Sequence, residues 1–242
     1  IDMGGGDDIL RNDGTLTADR ILLAAGSDTL NVNGPITANE INGGNDQEDV
    51  ANHLNIDEVR FGANGGIGSI DGSNYINFYK AVQVDGTWNY DKDFSHIPQF
   101  IVQGGVMEAA DAKPATFNNL TLKGGQIQTD IHDHSGDSYP APIKVKGSFN
   151  YESGSLLINA EQMANPTGSF NIIDVEGSES EISELASKTT LRYGETESAA
   201  FTGLGKENEL KEPALRDVYL EEGSLVLIVE DKTKDEIDDG LT

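Results

Sequence analysis

The chain contains no cysteine, which removes disulfide frameworks, thiolate zinc sites and cysteine nucleophiles together. Basic residues are scarce: 16 Lys and Arg face 42 Asp and Glu, for a formal net charge of −26. Spread along the chain rather than gathered in one tail, such a charge repels nucleic acid and anionic membranes and keeps an extended particle soluble. Holding divalent cations is its other use. Long apolar runs are also missing. The longest, Leu225 to Val229, amounts to a single strand, so nothing approaches the roughly 18 residues of a membrane span. Neither an initiator methionine nor a signal peptide opens the sequence, which is therefore expected to be an excised soluble fragment whose targeting signals lie elsewhere.

Glycine, by contrast, is abundant: 28 of 242 residues, well above the roughly 7% of average proteins. It falls in turn-like pairs such as Gly43-Gly44, Gly65-Gly66, Gly104-Gly105 and Gly124-Gly125, so long helices are not expected. Between the turns stand short apolar runs. Leu10, Leu16, Ile21 to Leu23, Leu30, Val32, Ile36 and Ile41 open the series; Phe117, Leu120, Leu122, Ile127, Ile131, Ile143 and Val145 continue it. Strands this short cannot each bury a core, but stacked coil on coil they bury one continuous apolar column. Gly6-x-Asp8-x-Leu10 and Gly26-x-Asp28-x-Leu30 recur at a spacing of 20 residues. With a rise of about 3.3 Å per residue, some 20 residues make three short strands and three turns, placing one motif above the other.

From Ile67 to Tyr90, the largely even spacing of Ile67, Ile70, Ile76, Phe78, Val82, Val84 and Trp88 reads as inward-facing strand positions, and places Trp88 in the core. A second patterned stretch runs from Ala115 to Asn159, interrupted at Ser135 to Pro142 by Gly, Ser and two prolines that read as a protruding loop. Ser178 with Glu181, ahead of Ile182, Leu185 and Ala186, reads as a capping box for one short helix. Beyond Tyr193 the repeat decays. The expected organisation is a β-helix over 1–194, C-terminal capping strands over 195–231 and an acidic flexible tail over 232–242.

Ile70-Asp71-Gly72-Ser73-Asn74-Tyr75-Ile76-Asn77-Phe78 followed by Gly86-Thr87-Trp88, Phe117-Asn118-Asn119-Leu120-Thr121-Leu122, and Gly147-Ser148-Phe149 with Gly154-Ser155-Leu156-Leu157-Ile158 resemble recurring motifs of Gram-negative type V autotransporter passengers. The resemblance covers residues 1 to 190. It implies an all-β, right-handed parallel β-helix with an atypical C-terminal cap, exported to the bacterial cell surface or secreted. Lack of disulfides suits a passenger that crosses an envelope unfolded, and by the same resemblance the stretch Gly147 to Asp174 is the expected counterpart of the coils that assist folding during export. The implied function is noncatalytic binding to a host-cell surface protein, to extracellular matrix or to a second copy, with no nucleic acid and no membrane insertion by this fragment. A released effector that engages a host receptor or acts as a toxin is the alternative; a β-helical polysaccharide lyase comes third.

Several residue groups have the types, but not the arrangement, of a site. Asp8 and Asp28 match the calcium nonapeptide of repeat toxins singly, yet calcium wants six to eight oxygen ligands and tandem copies about nine residues apart; both are read as turn formers. His132-Asp133-His134, near Asp130 and Asp137, offers two histidines where catalytic zinc wants three protein ligands, so it reads as a polar loop. Gly136-Asp137-Ser138 resembles a serine nucleophile block, but no His follows His134 to act as its base. Arg11, Arg20, Arg60, Arg192 and Arg216 form no lyase-like constellation with acids. No catalytic, metal or cofactor residue is assigned, and no cofactor is expected.

Overall fold

The computed structural model describes residues 1–44, 58–62, 66–132, 140–160, 167–180, 182–193, 197–206, 208–210, 216–221 and 225–231. Strands dominate it. The described residues include one 3-10 turn, Gly72–Asn74, and one short helix, Ile182–Ala186.

A 14-stranded, mostly parallel sheet organises the chain. Its first run of strands begins with Ile9–Asn12, Thr29–Val32, Glu58–Phe61 and Lys80–Gln83. It continues through 99–102, 119–122 and 149–151 and ends on Ser178–Ser180. Leu10, Leu30, Val59, Ala81, Phe100, Leu120 and Phe149 stand in register along it, separated by 20, 29, 22, 19, 20 and 29 residues. Residues 45–57 and 133–139 fall within the two longer steps. The second run comprises Ile67–Asp71, 87–91, Val106–Ala110, 126–130, 155–159 and Thr189–Tyr193. A third run of the same sheet links 92–94, 115–117, Ile143–Val145 and Ile173–Val175, while Arg20–Leu22, Glu40–Asn42 and Tyr75–Ile76 form a separate three-stranded parallel sheet.

Alternation decides what each strand buries. In the first run Leu30, Val59, Ala81, Phe100, Leu120 and Phe149 point inward with exposure of 1% or less, while Thr29, Asn31, Gln99, Ile101, Thr121 and Asn150 beside them are more exposed; Val82, beside Ala81, is buried as well. Aromatic rings fill the middle of this column: Trp88, Tyr90, Phe94, Phe100 and Phe117 are all buried, as the alternation at Trp88 predicts. Phe94 stacks on Phe117 at 5.5 Å and 17°, and Tyr90 meets Phe100 edge-on at 5.1 Å. Each such contact adds about 0.5–1.5 kcal/mol beyond simple burial.

The corner between the first and second runs is a stack of glycines. Gly86, Gly105 and Gly125 have φ of 84°, 70° and 70°, and Gly154 has 117°. A Cβ on Gly125 would lie 2.6 Å from the Gly105 carbonyl oxygen, and one on Gly154 would lie 2.8 Å from that of Gly125. Only residues without a side chain let the backbone turn this tightly and stack this closely. Here lies the physical reason for the paired glycines of the sequence.

At the C-terminal end the pairing changes. Glu197–Ala200 lies antiparallel to Thr189–Tyr193, and Gly168–Asn171, Val226–Asp231, Arg216–Glu221 and Asn208–Leu210 form a separate antiparallel sheet in that order. The short helix buries Ile182, Leu185 and Ala186. Its entry differs from the capping-box expectation, because Ser178–Ser180 is a strand paired with 148–150. Ser178 is thus committed to the sheet ladder rather than to a helix terminus.

Candidate ligand-binding face

The sequence motifs resolve mostly into structural roles. The Asp8 main-chain N–H donates to Asp28 Oδ1 at 2.8 Å, and Ser27 N–H donates to Asp7 Oδ1 at 2.9 Å. These carboxylates tie one pass of chain to the next, 20 residues on. Asn33 to Asp13, Asn39 to Asp19 and Arg20 to Glu40 repeat the same spacing. No group of three or more metal-ligating side chains occurs among the described residues. Trp88 donates its indole N–H to the Asp85 carbonyl at 3.1 Å and lines the core.

His132 has a partner that its local motif does not reveal. Its Nδ1 lies 2.7 Å from Asp111 Oδ1, and its main-chain N–H donates to Asp111 Oδ2 at 2.8 Å. Asp111 is buried and holds the imidazole from 21 residues away. The signal was the interval of about one pass, not the neighbouring His-x-His. Asp133, His134, Asp137 and Ser138, with the loop from Ser135, lie outside the described residues, as does the tail 232–242. Pro140 to Pro142 are described, and Ala115 N–H donates to the Pro142 carbonyl. Of the arginines, Arg11 pairs with Asp13 and Arg20 with Glu40 on the surface.

One outward face stands apart. On 99–102, 119–122 and 148–150, alternate residues present a grid of two rows by three strands: Gln99, Asn119 and Ser148 in one row, Ile101, Thr121 and Asn150 in the other. With Phe100 they line a groove of about 410 Å³. None of the six side chains carries a charge, in a chain with 42 carboxylates. Three internal bonds fix the Asn119 amide: Nδ2 donates to the Pro98 carbonyl at 2.8 Å, and Oδ1 accepts from Ser148 N–H and from Ser148 Oγ, each at 2.9 Å. Gln99 Nε2 donates to the Tyr79 hydroxyl at 3.2 Å. The Thr121 hydroxyl and the Asn150 amide have no hydrogen-bond partner among the described residues. Toward the N-terminus, the adjacent strand carries Lys80 directly beside Gln99, and the strand after it carries Arg60.

The neighbouring faces are ionic. On the second run, Glu108 sits with its carboxyl pushed up by partial burial and by the nearby Asp130. At the adjoining edge, burial would raise the Asp71 carboxyl, but hydrogen bonds from Lys92 and Ser73 outweigh it and hold it below its ordinary value. Lys113 to Asp91 at 3.6 Å, Lys146 to Asp93 at 3.6 Å and Lys144 to Glu176 at 2.9 Å continue that charged pattern. Sequence reading missed the groove because its six residues are spread over positions 99 to 150. Only the recurring polar alternation within each strand could have disclosed it.

Comparison with protein-family models, with curated proteins and with solved structures finds no match for this chain.

Proposed function

We propose that the chain winds as a right-handed parallel β-helix and serves, without catalysis, as the exported passenger of a Gram-negative autotransporter, binding a host surface, its matrix or a second copy. The observation that carries this reading is the first run of eight parallel segments from Ile9 to Ser180, whose residues return to one face at steps near 20 or 30. At about 4.8 Å per strand, that run is about 34 Å of side-chain ladder. Such ladders suit extended contacts made by many weak interactions. The assignment to passengers comes from the motif resemblance and the fold class, an argument by analogy.

Two measurements test it. Small-angle scattering should give an elongated particle; a near-spherical one overturns the β-helix. Beads coated with the protein should adhere to host epithelial cells or matrix, or clump with one another, where bare beads do not. Coated beads that do none of these overturn the binding function.

A further inference from the structure

We infer that the groove on strands 99–102, 119–122 and 148–150 is a binding site for an extended, uncharged saccharide chain, an inference that rests on the proposed binding role and supplies its ligand chemistry. Three observations lead there. First, its strands are interior to the sheet: Lys80–Gln83 pairs on one side and Ser178–Ser180 on the other. Their main-chain donors and acceptors are used by the ladder, so a peptide cannot be recognised by adding a strand. Recognition must come from side chains.

Second, those side chains are amides and hydroxyls: Gln99, Asn119, Thr121, Ser148 and Asn150. Each can donate and accept, as sugar hydroxyls do, whereas a phosphate or carboxylate ligand would call for cations that the grid does not hold. The chain's charge of −26 further opposes a polyanion. Ile101 adds a small apolar floor against which the C–H face of a sugar ring can rest.

Third, the grid is pre-arranged. Asn119 is locked by its bonds to Pro98 and Ser148, and Gln99 is held by Tyr79, so part of the ordering cost of binding is met before the ligand arrives. Thr121 and Asn150 then offer open hydrogen-bonding groups at the centre and on one side of the groove. Strand spacing of about 4.8 Å and residue pairs about 7 Å apart along each strand give a footprint suited to a short run of sugar rings.

The test is titration of the purified chain with cellohexaose, maltohexaose and mannohexaose, with a hyaluronan hexasaccharide as the acidic control. At least one neutral hexasaccharide should bind in the micromolar to millimolar range, and Thr121→Glu and Asn150→Asp should each weaken it at least tenfold with the β spectrum retained. Lys123→Ala, outside the grid, should leave Kd unchanged. Should either groove variant lose its fold, chemical-shift mapping on the unaltered protein decides the same question: the Ile101 and Thr121 methyl signals must be among those that move.

Absence of neutral-saccharide binding at millimolar concentration, in protein whose coated beads still adhere, overturns this inference and leaves the binding role standing. Failure of the beads as well removes both. Tighter binding of the acidic hexasaccharide overturns the uncharged assignment. Binding that ignores both variants and leaves the groove methyls still overturns the location.

Discussion

Ala24 adopts φ 76°, a left-handed conformation that costs an L side chain roughly 1–2 kcal/mol. Twenty residues earlier stands Gly4 at φ 86°, and twenty later Gly44 at φ 154°. Replacement by glycine removes the strain but loosens the unfolded chain by about 0.4–1 kcal/mol. The strain is the larger effect, so Ala24→Gly should stabilise by about 0.5–1 kcal/mol, read as a higher urea midpoint. A lower midpoint would show that the corner is relaxed. Glu108 calls for the opposite kind of change. Burial, with Asp130 beside it, raises its carboxyl above the ordinary 4.5, so the fold favours the protonated form. That contribution to stability is fully present below pH 4.5 and is lost as pH rises through the folded-state value. Glu108→Gln, neutral at every pH, should therefore melt a little higher than the natural chain at pH 7, with the gap closing at pH 4. An equal gap at both values would refute the role of ionisation.

Elements here are fixed by their corners as much as by their strands. Gly105, at φ 70°, has no room for a Cβ because the Gly86 carbonyl oxygen occupies that space. Gly105→Ala combines a left-handed side chain with a backbone clash, and should cost about 3 kcal/mol or more in equilibrium unfolding. Gly14→Ala meets nothing within 4 Å and should change stability by less than about 1 kcal/mol. Similar losses in the two variants would mean that the glycine corner is not stacked. This corner was legible in the sequence, because paired glycines recur beside alternating apolar residues and both signals are local. So was the 20-residue spacing of Asp8 and Asp28, which the structure places in hydrogen-bond contact. What was not legible depends on contacts between passes. Asp111 and His132 stand 21 residues apart with no shared motif, and the groove needs the lateral register of three strands to exist. Ser178 misled for a related reason: its local pattern suits a helix cap, but the partner strand at 148–150 claims it.

For the whole molecule, a charge of −26 sets long-range repulsion against many short-range pairs. Bridges such as Lys144 to Glu176 at 2.9 Å and Lys113 to Asp91 at 3.6 Å join neighbouring strands well inside the Debye length, which is about 10 Å at 0.1 M salt. Salt screens them weakly, and being exposed each contributes only about 0–1 kcal/mol in any case. Repulsion between carboxylates tens of ångströms apart is screened almost completely at the same ionic strength. Relief of repulsion is the larger effect, so Tm should rise with sodium chloride between about 10 mM and 150 mM and then level off as the Debye length falls below about 8 Å. A Tm that falls across that range would mean that the inter-strand pairs outweigh the net charge. Calcium chloride at matched ionic strength, after chelation, separates screening from specific binding. Because Asp28 accepts the Asp8 main-chain N–H and Asp7 accepts that of Ser27, these carboxylates already have structural work, and calcium should add only a small rise beyond sodium. A calcium-specific shift of many degrees would assign Asp8 and Asp28 to a cation instead.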